Sequence, residues 1–147
     1  MEFKKIQLNG FKSFAEKADF LIEDGLTGIV GPNGCGKSNI VESLRWAMGE
    51  TSAKSMRGSG MEDVIFSGTS NKASKNIAEV TIEVENKDKE GPIQYREHDQ
   101  VQIKRKIEKD KGSKFYINGK EVRARDAQMF FFFFFNSDHS PSMISLV

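Results

Sequence analysis

Residues Gly31 to Ser38 read Gly-Pro-Asn-Gly-Cys-Gly-Lys-Ser, a G-x-x-x-x-G-K-S spacing. These residue types at this spacing suit the binding of a polyphosphate. Gly31, Gly34 and Gly36 let the backbone turn tightly and aim its N–H groups inward at an anion. Lys37 can reach the outer phosphates, and the Ser38 hydroxyl can ligate Mg²⁺. Cys35 is the only cysteine, so no internal disulfide can form. Inside such a loop its thiol is a small spacer.

A loop of this kind needs a strand before it and a helix after it. Leu26-Thr27-Gly28-Ile29-Val30 is a short apolar run suited to a buried strand. Ser38 to Met48 reads as a helix, whose positive N-terminus adds to the anion site. Ile40, Val41, Leu44, Ala47 and Met48 make its apolar face, with Glu42 and Arg45 pointing elsewhere. Trp46 is a packing residue, and Gly49 is a C-terminal stop.

Other elements follow from alternation and turn chemistry. Phe3, Ile6 and Leu8 among polar neighbours predict an N-terminal strand, and Ala18 to Ile22 predicts a second. Lys12, Ser13 and Phe14 lie in the loop between them. Thr51 to Gly60 reads as a surface loop carrying Lys54 and Arg57, and Met61 to Phe66 as a short amphipathic piece. Ala78, Val80, Ile82 and Val84 alternate with Glu79, Thr81, Glu83 and Glu85 in a strict period of two, the clearest strand in the chain. Val101, Ile103 and Ile107 alternate with Gln102, Lys104 and Lys106 in another. Phe115-Tyr116-Ile117 and Lys120-Glu121-Val122 flank Asn118-Gly119, a strong hairpin signal.

The chain has 147 residues, of which 37% are hydrophobic and 29% charged, enough for one domain with a modest core. A net charge of +1 identifies no partner. From Asn86 to Arg125, twelve Lys/Arg stand against seven Asp/Glu. That local excess suits weak contact with nucleic acid, or simply a solvated basic face. The start of the chain has no signal-peptide pattern. Met129 to Phe135, the longest apolar run, is too short to span a bilayer as a helix. The expected location is the cytoplasm, with no membrane partner.

Several segments together narrow the class. They are Leu8-Asn-Gly-Phe-Lys-Ser-Phe14, Gly31 to Asn39, Trp46-Ala-Met-Gly-Glu50, Arg57-Gly-Ser-Gly-Met-Glu-Asp-Val-Ile-Phe66 and Phe115-Tyr-Ile-Asn-Gly119. This series resembles the N-terminal half of the ATPase head of bacterial SMC proteins, the chromosome condensation and segregation ATPases. The resemblance implies an α/β fold of the P-loop NTPase class. It would be the N-terminal lobe of an ABC-type ATPase head, with a mixed sheet around the loop and an antiparallel β-subdomain from the second half. It also implies ATP and Mg²⁺ as ligands. Gly31, Pro32, Asn33, Gly34, Cys35, Gly36, Lys37, Ser38 and Asn39 would form the ATP-binding loop, with Ser38 on the metal. Lys12 and Ser13 fall where the family approaches the base and ribose; an ordinary turn is the alternative for them. Arg57 matches the family's loop arginine, which reaches the nucleotide or nearby DNA when heads engage. The partners implied are the C-terminal half of a head, a second head and DNA.

The departures shape the expected activity. No sustained heptad, signature motif or acidic Mg²⁺- and water-holding pair stands in these residues, so no complete catalytic set is expected and isolated hydrolysis is not. Residues 1–129 are expected to form the head lobe, and residues 130–147 a divergent tail. Its run Phe130 to Phe135 cannot be buried by a single helical face. A truncated product or fragment is the economical reading. Alternatives are a RecF- or RecN-like DNA-repair ATPase fragment, a non-functional remnant and a small P-loop kinase. The β-rich second half argues against the kinase.

Overall fold

Every second residue of Ala78 to Val84 is apolar, so one side of that segment must leave water while the other stays wet. The computed structural model describes residues 2–22, 29–30, 37–49, 61–89 and 91–135. In chain order they form β1 (Glu2–Asn9), β2 (Ala18–Ile22), β3 (Ile29–Val30), α1 (Lys37–Ala47), β4 (Ile77–Glu85), β5 (Gln100–Glu108), β6 (Gly112–Ile117), β7 (Lys120–Val122) and α2 (Ala124–Phe135). Short 3-10 turns lie at Met61–Val64 and Ile93–Tyr95. The strands make one seven-stranded sheet in the order β3-β2-β1-β4-β5-β6-β7, with β4 at its centre.

Each described pairing is antiparallel. The sheet around the loop and the sheet of the second half, expected side by side, are continuous. The reason is β1. Its backbone pairs on one edge with β2, Ile6 opposite Phe20, and on the other with β4, Ile6 opposite Ile82. The Asn118-Gly119 hairpin forms as the sequence requires. Its φ angles of 52° and 81° are both positive, as the twist-matched two-residue turn demands.

Alternation sorts the side chains. Ile6, Leu8, Phe20, Ala78, Val80, Ile82, Val84, Val101, Ile103, Ile107, Phe115 and Ile117 are buried in one cluster that α1 and α2 cover. The opposite face is polar and laced with ion pairs, such as Lys5 with Glu83 at 3.8 Å and Lys114 with Glu121 at 3.5 Å. Such exposed pairs contribute little to stability. They keep the uncovered face wet and soluble.

Helix α2 starts on a local cap. The Asp126 carboxylate accepts the Arg123 backbone N–H at 3.1 Å and pairs with the Arg123 guanidinium at 3.1 Å. The Arg123 side chain, and then its backbone N–H, hold the Asp126 carboxyl below its ordinary range. The cap is therefore complete at neutral pH. It is lost only as pH falls through that lowered value.

The phenylalanine run is helical through Phe135, and it divides as a helix circumference must. Phe130 and Phe131 are 0% and 3% exposed, whereas Phe132 is 60% exposed. Phe131 packs against Phe3 with ring centres 6.3 Å apart, and Phe130 meets Tyr95 edge-on at 6.1 Å. Two rings of the run thus complete the core, and α2 carries them across positions 129 and 130. Phe130→Ala is expected to cost about 3–5 kcal/mol in urea unfolding. Phe132→Ser should cost less than about 1 kcal/mol. Equal costs would show that burial does not distinguish the two rings.

Candidate phosphate-binding site

Strand β3 ends at Val30 and α1 begins at Lys37, so a strand and a helix flank the glycine-rich segment. Gly31, Pro32, Asn33, Gly34, Cys35 and Gly36 lie outside the described residues, as does Arg57. So do Leu26 to Gly28 of the expected strand and the expected loop Thr51 to Gly60. Lys37, Ser38 and Asn39 are the first three residues of α1, and its first turn holds no acidic residue. A helix start of this kind leaves its free N–H groups and positive dipole end available to an anion.

The far end of α1 is gripped by two other elements. Arg105 on β5 is only 2% exposed. Its Nη1 donates to the Trp46 carbonyl oxygen at 2.7 Å, in the last turn of α1. Its Nη2 donates to Ser113 Oγ on β6 at 3.1 Å. The guanidinium also lies between two rings, 4.6 Å from the centre of Trp46 and 4.7 Å from that of Phe115. A cation is stabilised at the negative end of a helix and over aromatic faces, and here it meets both. Gly49 then ends the helix with φ 103°, its N–H donating to the Trp46 carbonyl at 3.1 Å. Gln128 Nε2 of α2 donates to the Gly49 carbonyl at 3.3 Å. A Cβ at position 49 would stand 2.5 Å from the Gln128 side chain, so close approach as well as positive φ requires glycine here.

The near side of α1 meets the turn after β1. The Lys12 backbone N–H donates to the Val64 carbonyl at 2.6 Å, and the Phe66 N–H donates to the Gly10 carbonyl at 2.7 Å. Phe11 bridges to both Phe14 and Ile65, and its ring lies 5.5 Å from that of Trp46. Lys12 Nζ stands 3.6 Å from Glu42 Oε2 of α1. Lys12 is thus held next to the helix that Lys37 and Ser38 open, while Ser13, the next residue of the turn, is exposed. The structure corrects one expectation: Glu42 does not point away from the packed side of α1. It is 5% exposed, because Lys12 folds down beside it.

Sequence reasoning passed over Arg105, Glu42 and Gln128. A signal existed for Arg105, which falls two residues after Ile103 and two before Ile107, on the buried side of β5. A charge at an apolar-phase position marks a buried partner. Glu42 and Gln128 carried no such signal, since each depends on a contact distant in sequence.

Strand, glycine-rich loop, helix and covering antiparallel sheet define the N-terminal lobe of an ABC-type, phosphate-loop ATPase head. The family model described as "RecF/RecN/SMC N terminal domain" matches residues 2–134. Chromosome partition protein Smc of Rhodopseudomonas palustris is 51% identical over 144 residues, 98% of this chain and 12% of that protein. The Smc protein of Mycobacterium tuberculosis is 48% identical over 128 residues, 87% of this chain and 10% of that protein. The chain therefore spans about an eighth of the length of the first of these relatives. A solved structure described as concerning ATP-driven dimerization and DNA-stimulated activation of SMC ATPases superposes with a TM-score of 0.82. It is 34% identical, over 94% of this chain and 82% of that one. A structure of an Smc head bound to the C-winged helix domain of ScpA gives 0.78 at 33% identity, covering 90% and 40%. The chain belongs to the RecF/RecN/SMC N-terminal domain family.

Arg105→Ala removes the shorter of two hydrogen bonds to the Trp46 carbonyl, leaving the Gly49 N–H, and opens a cavity beside two rings. The expected loss is about 2–4 kcal/mol by denaturant unfolding. Arg105→Lys keeps the charge but loses the fork and the stacked plane, so it should recover only part of that loss. Full stability in Arg105→Ala would show that α1 is held by its apolar face alone.

Proposed function

We propose that this chain is the ATP-binding part of an SMC-type DNA-organising ATPase, serving chromosome condensation and segregation from the cytoplasm. The observation that carries the reading is local. Lys37 and Ser38 open an eleven-residue helix whose first turn holds no acid, immediately after a six-residue glycine-rich segment following β3. Residues 1–129 would form the head lobe, and the segment 130–147 a tail whose first two rings, Phe130 and Phe131, close the core of that lobe.

In this reading Gly31, Pro32, Asn33, Gly34, Cys35, Gly36 and Asn39 wrap the phosphates, and Lys37 meets the outer ones. The donor set fits Mg²⁺: a serine hydroxyl at the helix start, beside phosphate oxygens that complete the ligation. Bound Mg²⁺ would neutralise phosphate charge. Lys12 and Ser13 face the ribose and base side, and Arg57 reaches the nucleotide or DNA when two heads meet. A second head and a C-terminal head half are the partners. The descriptions of the structural neighbours, with ATP-driven dimerization among them, support this. DNA contact by this lobe is weak and salt-sensitive, since a local excess of five positive charges meets only a few phosphates.

Removing Lys37 deletes a charge-assisted contact worth roughly 1.5–3 kcal/mol. Calorimetry of Lys37→Ala should show about a 10- to 150-fold loss of Mg²⁺-ATP affinity. An unchanged dissociation constant would refute the site. The purified chain is expected to bind ATP without steady turnover, because phosphoryl transfer also needs a metal-holding acid and a water-orienting group. Hydrolysis by this chain, abolished in Lys37→Ala, would reveal a catalytic residue among its 147 residues.

A further inference from the structure

We propose that Glu42 is a positioning residue for recognition of the nucleoside part of ATP: its buried carboxylate holds the Lys12 ammonium against the phosphate-loop helix. This rests on the reading of Lys12 as a nucleotide contact.

The first observation is the backbone of Lys12. Its φ of 52° lies in the left-handed region, which residues with a side chain seldom adopt. Lys12 is the first central residue of a two-residue turn, closed by the Phe14 N–H donating to the Phe11 carbonyl at 2.8 Å and by the Phe11–Phe14 bridge. The Lys12 N–H donates to the Val64 carbonyl at 2.6 Å, while the bridges from Phe11 to Phe14 and Ile65 fix the residue before it. The turn sets where the Lys12 side chain leaves the backbone.

The second observation is where that side chain goes. The Lys12 and Glu42 side chains are 17% and 7% exposed, with Nζ and Oε2 3.6 Å apart. A carboxylate this deeply buried requires a cationic or hydrogen-bonding environment, and Lys12 supplies a cation. Glu42 follows Ser38 by four residues, one helical turn, so positions 38 and 42 share one side of α1. The pair therefore ties Lys12 to the same side of the helix that offers the Mg²⁺-ligand position. The Lys12 ammonium is thus set relative to the phosphate-loop helix by Glu42, and not by its own turn alone.

The test uses the full chain and two ligands measured by calorimetry, Mg²⁺-ATP and Mg²⁺-tripolyphosphate. The second carries the phosphates without base or ribose. Glu42→Gln should weaken ATP by about 5- to 10-fold, the loss of one charge-assisted contact, and leave tripolyphosphate within about two-fold. Glu42→Asp, which keeps the charge, should recover part of the ATP affinity. In a Lys12→Gln background, Glu42→Gln should have almost no further effect on ATP. Equal losses for the two ligands, a Glu42→Gln effect that persists without Lys12, or unchanged ATP affinity would each overturn the proposal. If Glu42→Gln does not fold, Lys12→Gln alone decides: it must weaken ATP and spare tripolyphosphate, and an equal loss overturns the idea. Lys37→Ala separates the two readings. It should weaken both ligands; if it weakens neither, the phosphate site itself fails, and the role of Glu42 with it.

Discussion

A buried guanidinium governs the direction of the helix on which the proposed phosphate site depends. Arg105 reaches from the middle of the sheet to the last turn of α1, where carbonyl oxygens have no partner within the helix. Among the described residues a carbonyl, a serine hydroxyl and two ring faces share its charge. Replacing one of these leaves the others to hold a desolvated cation. The Trp46 carbonyl accepts from both Arg105 and the Gly49 N–H, and the Trp46 ring packs against Phe11. From that point, sheet, helix and the turn after β1 become one packed unit.

This arrangement anchors one end of the helix and puts Lys37 and Ser38 at the other. The C-terminal end of α1 is held by Arg105 from β5, by Gln128 from α2 and by the Gly49 stop. The N-terminal end carries Lys37 and Ser38 with no acid in the first turn. Fixing a helix from its far end lets its near end present N–H groups without covering them. The apolar face between, through Ile40, Leu44 and Ala47, supplies burial rather than direction. Directional hydrogen bonds add orientation to what hydrophobic area contributes in magnitude.

The second helix has a related duty. Phe130 and Phe131 close the core beside Phe3 and Tyr95, and Gln128 from the same helix meets the end of α1. A run of identical rings cannot choose a face by its own pattern. The cap at Arg123 and Asp126 and the Gln128 contact set the rotation of α2, and that rotation leaves Phe132 in water.

The sequence by itself determined the local elements and pointed to a phosphate ligand for the loop. Period-two alternation set β4 and β5, Asn118-Gly119 set the last hairpin, and Ala18 to Ile22 was legible as a strand to the residue. The Gly31 to Ser38 spacing named a phosphate ligand because backbone, lysine and serine act within one short segment. Tertiary structure alone decided what joins segments distant along the chain. These include β1 pairing on both edges, Glu42 turned inward to Lys12, Arg105 beneath α1, and the entry of Phe130 and Phe131 but not Phe132 into the core. Periodicity reports which face of an element is apolar, but a buried charge has no period. Its partner lies tens of residues away and is chosen only when the chain has packed.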